Sequence, residues 1–306
     1  MLVPMGTLFP LAWAGALSVQ LARRRVDRPL IALSRMARRN RRWLLRGSFF
    51  VIVVLLLARS FSSYKAAIPE INPYWADPWL ADLDRAVFGT DAWRLTHSLI
   101  GPFGTMLIDR VYALWFMVMM IFLGWFCFTR NAKLQLRGLL SYLFCWALLG
   151  NIVATVMSSV GPCFYDRFVG GARFSPMLDQ LHRINEQHPL MAMGAMRYLG
   201  STIGQDRVGG GISAMPSLHV TIATLCFLVS LTYSTSRLLK LATGLFAATI
   251  YIGSVHLGWH YASDGLVGIV AVTLIWWATG RYVDYLDARD LARQPAPAAK
   301  LLPATA

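Results

Sequence analysis

Apolar runs of about 20 residues recur along this chain, and they restrict its fold more than any other feature. A helix needs about 20 apolar residues to cross the ~30 Å hydrocarbon core of a bilayer. Seven stretches approach this length, at residues 2–22, 48–67, 109–128, 138–158, 216–234, 241–257 and 264–282. Because 56% of the residues are hydrophobic and only 14% are charged, we predict an all-α integral membrane protein.

The first of these stretches is the weakest, because Pro4 and Pro10 interrupt it and Gln20 lies near its end. Its arginines follow the apolar run, which is not the pattern of a secretory signal. We therefore predict a six-helix core bundle with one further N-terminal span. The chain divides into an N-terminal span with a basic segment, a membrane-embedded domain and a disordered tail, at residues 1–47, 48–285 and 286–306.

Basic residues are concentrated on one side of the predicted membrane. Segment 23–46 carries ten arginines and a single acid, Asp27. The loops 129–137 and 235–240 and the tail from Arg281 are also basic, and they fall on the same side when the spans are counted. The positive-inside rule makes this side cytoplasmic, and segment 23–46 is expected to lie on anionic lipid headgroups. The net charge of +14 therefore indicates a membrane partner and not nucleic acid.

Two polar motifs interrupt the apolar pattern on the opposite side. PSLH (216–219) opens the fifth span with His219, and HYASD (260–264) lies between the sixth and seventh spans. Since the fifth and sixth spans form a hairpin, we expect His219 and His260 to lie at the same end of the bundle. His260 and Asp264 are four residues apart, a spacing that places them on one side of a helix.

Two imidazoles and a carboxylate suit phosphoryl transfer through a covalent phosphohistidine. One imidazole attacks phosphorus, the carboxylate fixes its tautomer, and the second imidazole protonates the leaving oxygen. Cations can hold the non-bridging oxygens, so this chemistry needs no metal or other cofactor. The four cysteines show no zinc-type spacing either.

These motifs resemble the second and third signatures of the type 2 phosphatidic acid phosphatase superfamily, in order and on the same membrane face. Leu218 in PSLH, the pair His260–Tyr261 and the stretch SSVGPCFYDRF (158–168) resemble its inositol phosphorylceramide synthase-like (inositolphosphotransferase) branch. The stretch ADPWLADLDRAVFG (76–89) is similar to the outer amphipathic segment that precedes the catalytic core in that branch.

The resemblance implies roles for individual residues. His260 would be the nucleophile, Asp264 its orienting carboxylate and His219 the general acid. Ser217 would give a hydrogen bond to the phosphate, helped by amides at the start of the fifth span. Further substrate-binding candidates are outer-side aromatic and cationic residues: Tyr165, Tyr261, Arg167, Arg207 and, after these, Arg173. The implied substrate is a membrane lipid phosphate, with a polyol or lipid alcohol as acceptor, in a bacterial inner membrane with the active site facing the extracytoplasmic side.

The chain departs from the superfamily in its positive charges. The first signature, a lysine followed at fixed distance by Arg-Pro, is absent. The one Arg-Pro pair, Arg28–Pro29, has Leu21 at the lysine position and lies on the cytoplasmic side. The arginine that usually precedes the third-signature histidine by six residues is Ser254 here. The positive clamp for the phosphate is therefore unassigned.

Several functions remain open at this point. If water resolves the phosphohistidine, the protein is a phosphatase of phosphatidic acid or polyprenyl (pyro)phosphate. If an alcohol such as ceramide, diacylglycerol or a polyol resolves it, the protein is a phosphotransferase, which the branch resemblance favours. A membrane transporter would need ionisable groups in mid-span, and these are nearly absent. A scaffold without catalysis predicts that nothing depends on His260.

Other polar and aromatic residues of the outer side are interpreted as structural. His256 is assigned to the end of the sixth span in preference to the pocket, and His182 and His188 to a solvated loop. The aromatic side chains that fit an interfacial belt better than a substrate site are Trp75, Trp79 and Trp93.

Overall fold

The computed structural model describes residues 28–203 and 210–292, together with Gly15 and Arg23. Apart from Gly15, the predicted span 2–22 lies outside the described residues. Of the predicted tail 286–306, residues 286–292 are helical and the remainder lies outside the described residues. Within them the chain forms twelve helices and no strand. In chain order these are α1 (Pro29–Arg39), α2 (Arg41–Ile71), α3 (Ala76–Phe88), α4 (Ala92–Leu99), α5 (Pro102–Phe128), α6 (Ala132–Val156, with a π-helical part at Cys145–Val153), α7 (Pro162–Phe168), α8 (Ser175–Gln187), α9 (Met191–Ser201), α10 (Leu218–Tyr233), α11 (Arg237–His256) and α12 (Ala262–Ala292).

The six predicted core spans correspond to α2, α5, α6, α10, α11 and α12. All of these except α10 are long and apolar enough to cross a membrane, which confirms the predicted all-α membrane class. Helix α10 has 16 residues and is about 24 Å long at 1.5 Å per residue. That is less than the ~30 Å core, so α10 by its own length falls short of a full span.

The outward faces of these helices are apolar. Large side chains that are more than half exposed include Leu56, Ile121, Leu245, Val270 and Trp277. A soluble protein rarely exposes so continuous an apolar surface. Lipid contact explains it, because a membrane-facing side chain has no water to avoid.

The loops segregate to two ends of the bundle. At one end, the Trp43 indole donates to the carbonyl oxygen of Phe128 over 2.8 Å. At the other end, the Asn72 amide donates to the carbonyl oxygen of Thr155 over 2.7 Å. The basic loops all belong to the first end, and the two polar motifs belong to the second. This grouping agrees with the sorting that the charges predicted.

Short helices cover the end that carries the polar motifs. Leu80 of α3 and Met177 of α8 are fully buried beneath this layer. Trp75 and Trp79 are 49% and 52% exposed, which fits the interfacial aromatic belt predicted for them. The prediction for Trp93 is wrong, because its side chain is 5% exposed. Trp93 is instead an internal residue, since the short helices fold back over the bundle and enclose it.

Candidate active site

His260 lies in the short connection between α11 and α12. Gly258 turns the chain there with a φ of +74°, and a Cβ at this position would lie 2.4 Å from the Met177 methyl carbon. The amides of Trp259 and His260 both donate to the carbonyl oxygen of Ser254, each over 3.0 Å. Ser254 therefore fixes the turn that presents His260.

Asp264 lies behind the His260 ring, in the first turn of α12. Its Oδ2 is 3.4 Å from His260 Nδ1 and accepts a hydrogen bond of 3.1 Å from the Tyr261 amide. The Asp264 side chain is wholly buried and that of His260 is 8% exposed. Partial positive charge at the helix start stabilises the carboxylate. A carboxylate facing Nδ1 favours a proton on that nitrogen, which leaves the Nε2 lone pair free to attack.

His219 faces His260 from the first turn of α10. The two ring centroids are 6.2 Å apart. The His219 ring stacks on Tyr112 at 4.9 Å and packs against Trp115 at 4.2 Å. The Trp115 indole also donates to the His219 carbonyl oxygen over 2.9 Å. Two aromatic residues of α5 thus hold the imidazole in place.

A close approach of α10 and α12 brings the two histidines together. Gly268 on α12 packs against α10, where a Cβ would lie 2.6 Å from Thr221 Oγ1. Ser217 ends the loop before α10, and its amide donates to the Asp264 carbonyl oxygen over 3.3 Å. The Ser217 hydroxyl is buried and caps α10 by accepting from the Val220 amide over 3.4 Å. Its predicted contact with phosphate therefore stays a prediction.

The two tyrosines predicted to bind substrate are buried and already have partners. The Tyr261 hydroxyl donates to Asp77 Oδ1 over 2.9 Å, and burial together with the Asp77 charge raises its pKa. The Tyr165 ring packs on Phe174 with centroids 5.1 Å apart, and burial raises the pKa of its hydroxyl as well. Both tyrosines thus support the wall of the site.

The arginines predicted to clamp the phosphate do not form that clamp in the described residues. The Arg167 guanidinium donates to the Gly200 carbonyl oxygen over 3.3 Å, and no contact with either histidine is found for it there. Arg207 lies outside the described residues. Arg173 is held by Asp82 at 2.6 Å and Asp91 at 2.7 Å. Its charge is therefore already paired.

Lys65 is a cation on α2, near the end of the bundle that carries the polar motifs, and the sequence reasoning did not consider it. It lies beside the loop before α10, where a Cβ at Gly211 would be 2.9 Å from the Lys65 carbonyl carbon. Its side chain is half-buried, and within the described part of the chain no carboxylate lies within 4 Å of its ammonium group. One signal could have found it. Lys65 precedes Asn72–Pro73 by the seven residues that separate Leu21 from Arg28–Pro29, so the first signature fits with Asn in place of Arg.

Carboxylates of α3 hold the loops around the site, which the sequence reasoning also missed. Asp77 accepts hydrogen bonds of 2.8 to 3.2 Å from the Ser159 hydroxyl and from the amides of Val160 and Gly161. The second carboxylate is Asp84, seven residues after Asp77. This spacing places both side chains on one face of α3, and it is the sequence pattern that could have revealed them.

Asp84 holds the start of α12 in the same way, through hydrogen bonds to its carboxylate. It accepts hydrogen bonds from the amides of Ala262, at 2.6 Å, and Ser263, at 3.0 Å. These are the first free amides of the helix that carries Asp264. Burial raises the pKa of the Asp84 carboxyl, and the two hydrogen bonds oppose that shift. Asp84 therefore fixes the start of α12 and, through it, the His260 turn.

His256 lies apart from this cluster. It is the last residue of α11 and is fully buried. Its Nε2 is 2.9 Å from the Thr105 hydroxyl oxygen, and its ring lies 4.4 Å from that of His97. The interpretation of His256 as a residue of the span end is thus confirmed.

The described residues thus form a helical membrane bundle with two neighbouring imidazoles and a buried carboxylate at one end. A family model of the PAP2 superfamily matches residues 78–278, which is more than half of the chain. The chain belongs to the PAP2 superfamily. Members act on lipid phosphates as phosphatases or phosphotransferases, and this coarse activity is assigned to the chain. No curated protein and no solved structure matches it.

Replacing Asp84 by Ala leaves two buried amides without an acceptor. At about 1–3 kcal/mol for each such group, we expect a lower thermal stability in detergent and a loss of turnover, because the start of α12 shifts. Asp84→Asn keeps one acceptor oxygen and should lie between Ala and wild type. The control is Glu70→Ala, an exposed acid at the end of α2. Unchanged stability and turnover in Asp84→Ala would contradict this role.

Proposed function

We propose that the protein transfers the phospho-headgroup of a membrane lipid to an alcohol acceptor at the extracytoplasmic leaflet, as in the inositol phosphorylceramide synthase-like branch. The observation that carries this proposal is the arrangement of His219 and His260, which face each other with ring centroids 6.2 Å apart while Asp264 backs His260. At this separation both imidazoles can reach one phosphate group.

In the first step, the lone pair of His260 Nε2 attacks phosphorus. The bond from phosphorus to the leaving oxygen breaks, its electron pair passes to that oxygen, and the His219 imidazolium supplies the proton. Asp264 stabilises the positive charge that develops on the His260 ring. The product of this step is a phosphohistidine that carries the headgroup.

In the second step, His219 acts as a base and no longer as an acid. His219, now neutral, takes the proton of the acceptor hydroxyl while the acceptor oxygen attacks phosphorus. The phosphorus–nitrogen bond breaks, and its electron pair returns to His260 Nε2. The enzyme thereby regains its starting protonation state.

Lys65 supplies the positive charge for the phosphate oxygens in this proposal. A phosphate that enters between Lys65 and His219 places its negative charge between two cations and offsets their mutual repulsion. The charge on the non-bridging oxygens is then stabilised without a metal ion.

The enclosure of the site favours an alcohol over water as acceptor. His219 lies among the rings of Tyr112, Trp115 and Phe116, and His260 is almost fully buried. Such walls restrict water and suit the chain of a lipid alcohol. Hydrolysis of phosphatidic acid or polyprenyl (pyro)phosphate is the second candidate, because the superfamily includes phosphatases and water could replace the alcohol.

The experiment for transfer is a product analysis. Purified protein, without added divalent metal, is given a radiolabelled phospholipid with and without ceramide, diacylglycerol or inositol, and the lipid products are identified by mass spectrometry. We expect the headgroup on the added alcohol. Phosphate or free headgroup as the sole product, whatever alcohol is present, would show hydrolysis. His260→Ala should give neither product, and the control His182→Ala should match wild type, because His182 is exposed on α8 and not in the loop predicted for it.

His219 can be tested through the leaving group. If His219 donates a proton to the leaving oxygen, its loss should matter little when that oxygen is a weak base. We expect His219→Ala to lose about 100-fold or more on a phospholipid but to regain most of its rate on a nitrophenyl ester of the same phosphate. His260→Ala should stay inactive on both. Equal losses of His219→Ala on the two substrates would exclude the proton-donor role.

Lys65 can be tested by removing its charge. Lys65→Gln should lower kcat/KM by about 100-fold, which is typical for loss of one group that stabilises transition-state charge, and Lys65→Arg should retain more activity. Lys240→Gln, at the other end of the bundle, removes the same charge and serves as the control. A wild-type kcat/KM in Lys65→Gln would mean that another cation holds the phosphate.

A further inference from the structure

The end of the bundle opposite the histidines contains a cleft of about 390 Å³ at the junction of α1 and α2. Five arginines line it together with Trp43: Arg38, Arg39, Arg41, Arg42 and Arg130. We infer that this cleft binds the headgroup of a membrane lipid that carries two phosphate groups. The site lies far from the catalytic cluster along α2, so the inference is independent of the proposed function.

The charge in the cleft is unbalanced. None of the five arginines has a carboxylate within 4 Å among the residues that the structure describes. Among the described residues, one side-chain hydrogen bond involves these guanidinium groups, from Arg130 to Asn40 Oδ1 over 2.7 Å. Like charges held this close repel one another, and a bound anion relieves the repulsion.

The local fold brings these arginines to one cleft. Helix α1 ends at Arg39 and α2 begins at Arg41, with Asn40 between them, so both helix ends contribute guanidinium groups. Arg130 comes from the distant loop after α5, where its guanidinium lies 5.4 Å from the Trp43 ring centroid. The hydrogen bond from the Trp43 indole to Phe128 fixes this ring. The cleft therefore depends on the tertiary structure, because its arginines come from separate parts of the chain.

The surroundings of the cleft favour a lipid over a free anion. Leu30 on α1 is 79% exposed, and Leu45 and Phe49 on α2 are 60% and 61% exposed. These apolar side chains belong in the acyl region of the membrane, which places the neighbouring arginines at the level of the lipid phosphates.

The number of arginines indicates two phosphate groups. A guanidinium binds phosphate through two parallel hydrogen bonds, and a tetrahedral phosphate accepts about two such groups. Four or five arginines therefore match a headgroup with two phosphates better than a headgroup with one.

The test measures lipid retention by native mass spectrometry and by titration in detergent. Full-length His260→Ala protein, which cannot turn lipids over, is offered cardiolipin with two phosphates, phosphatidylglycerol with one, and zwitterionic phosphatidylcholine. The double variant Arg39→Gln/Arg42→Gln is compared with Arg237→Gln/Lys240→Gln, which removes the same charge at the same end of the bundle but outside the cleft. Arg130→Gln is a third variant that leaves the α1–α2 junction unchanged. Glycerol bisphosphate serves as the soluble competitor.

We expect cardiolipin to bind most tightly and phosphatidylcholine least. At about fivefold for each basic residue near a phosphate, the Arg39/Arg42 variant should lose about 25-fold in affinity for cardiolipin and Arg130→Gln about fivefold, with less than about twofold in the control. Equal losses in the cleft and control variants would reduce the effect to general surface charge and overturn the site. Displacement by glycerol bisphosphate at the same concentration as the lipid would show a site for free anions and overturn the assignment to a lipid.

Discussion

The geometry of the catalytic cluster depends on two buried carboxylates that belong to neither histidine motif. Burial of a carboxylate is costly unless several donors replace water around it. Asp77 therefore accepts hydrogen bonds from the 159–161 loop and from the Tyr261 hydroxyl, and Asp84 accepts them from the first amides of α12. The connection that holds His260 lies between these two sets of bonds, so its position is fixed from outside the membrane helices.

Much of the arrangement follows from the sequence because a membrane restricts the alternatives. Six apolar runs that each cross the bilayer must alternate in direction, and basic loops must collect at one end. That alone predicts that His219 and His260 meet at the other end, and the structure places their ring centroids 6.2 Å apart, with the ring planes tilted by 55°. The spacing of His260 and Asp264 also predicts their contact, although His260 lies in the connection just before α12 and only Asp264 belongs to the helix.

The cation and the supporting acids could not be assigned in this way, because they depend on how separate helices pack. Lys65 lies on α2, which packs against α5 and α6, so no spacing along the chain relates it to the histidines. Arg173 has the right charge and side of the membrane, but Asp82 and Asp91 already bind it. Trp93 resembles a belt residue in sequence and is buried because the short helices fold over it. Charge and sidedness alone do not reveal such pairings.

In the proposed mechanism, His260 carries phosphorus covalently during turnover. This can be measured by quenching the enzyme while it acts on a radiolabelled lipid phosphate and mapping the label by peptide analysis. We expect an acid-labile, alkali-stable label on the peptide that contains His260, increased when the acceptor alcohol is withheld and absent in His260→Ala. A label on another residue such as His219, or rapid turnover with no covalent label at any time point, would contradict this mechanism.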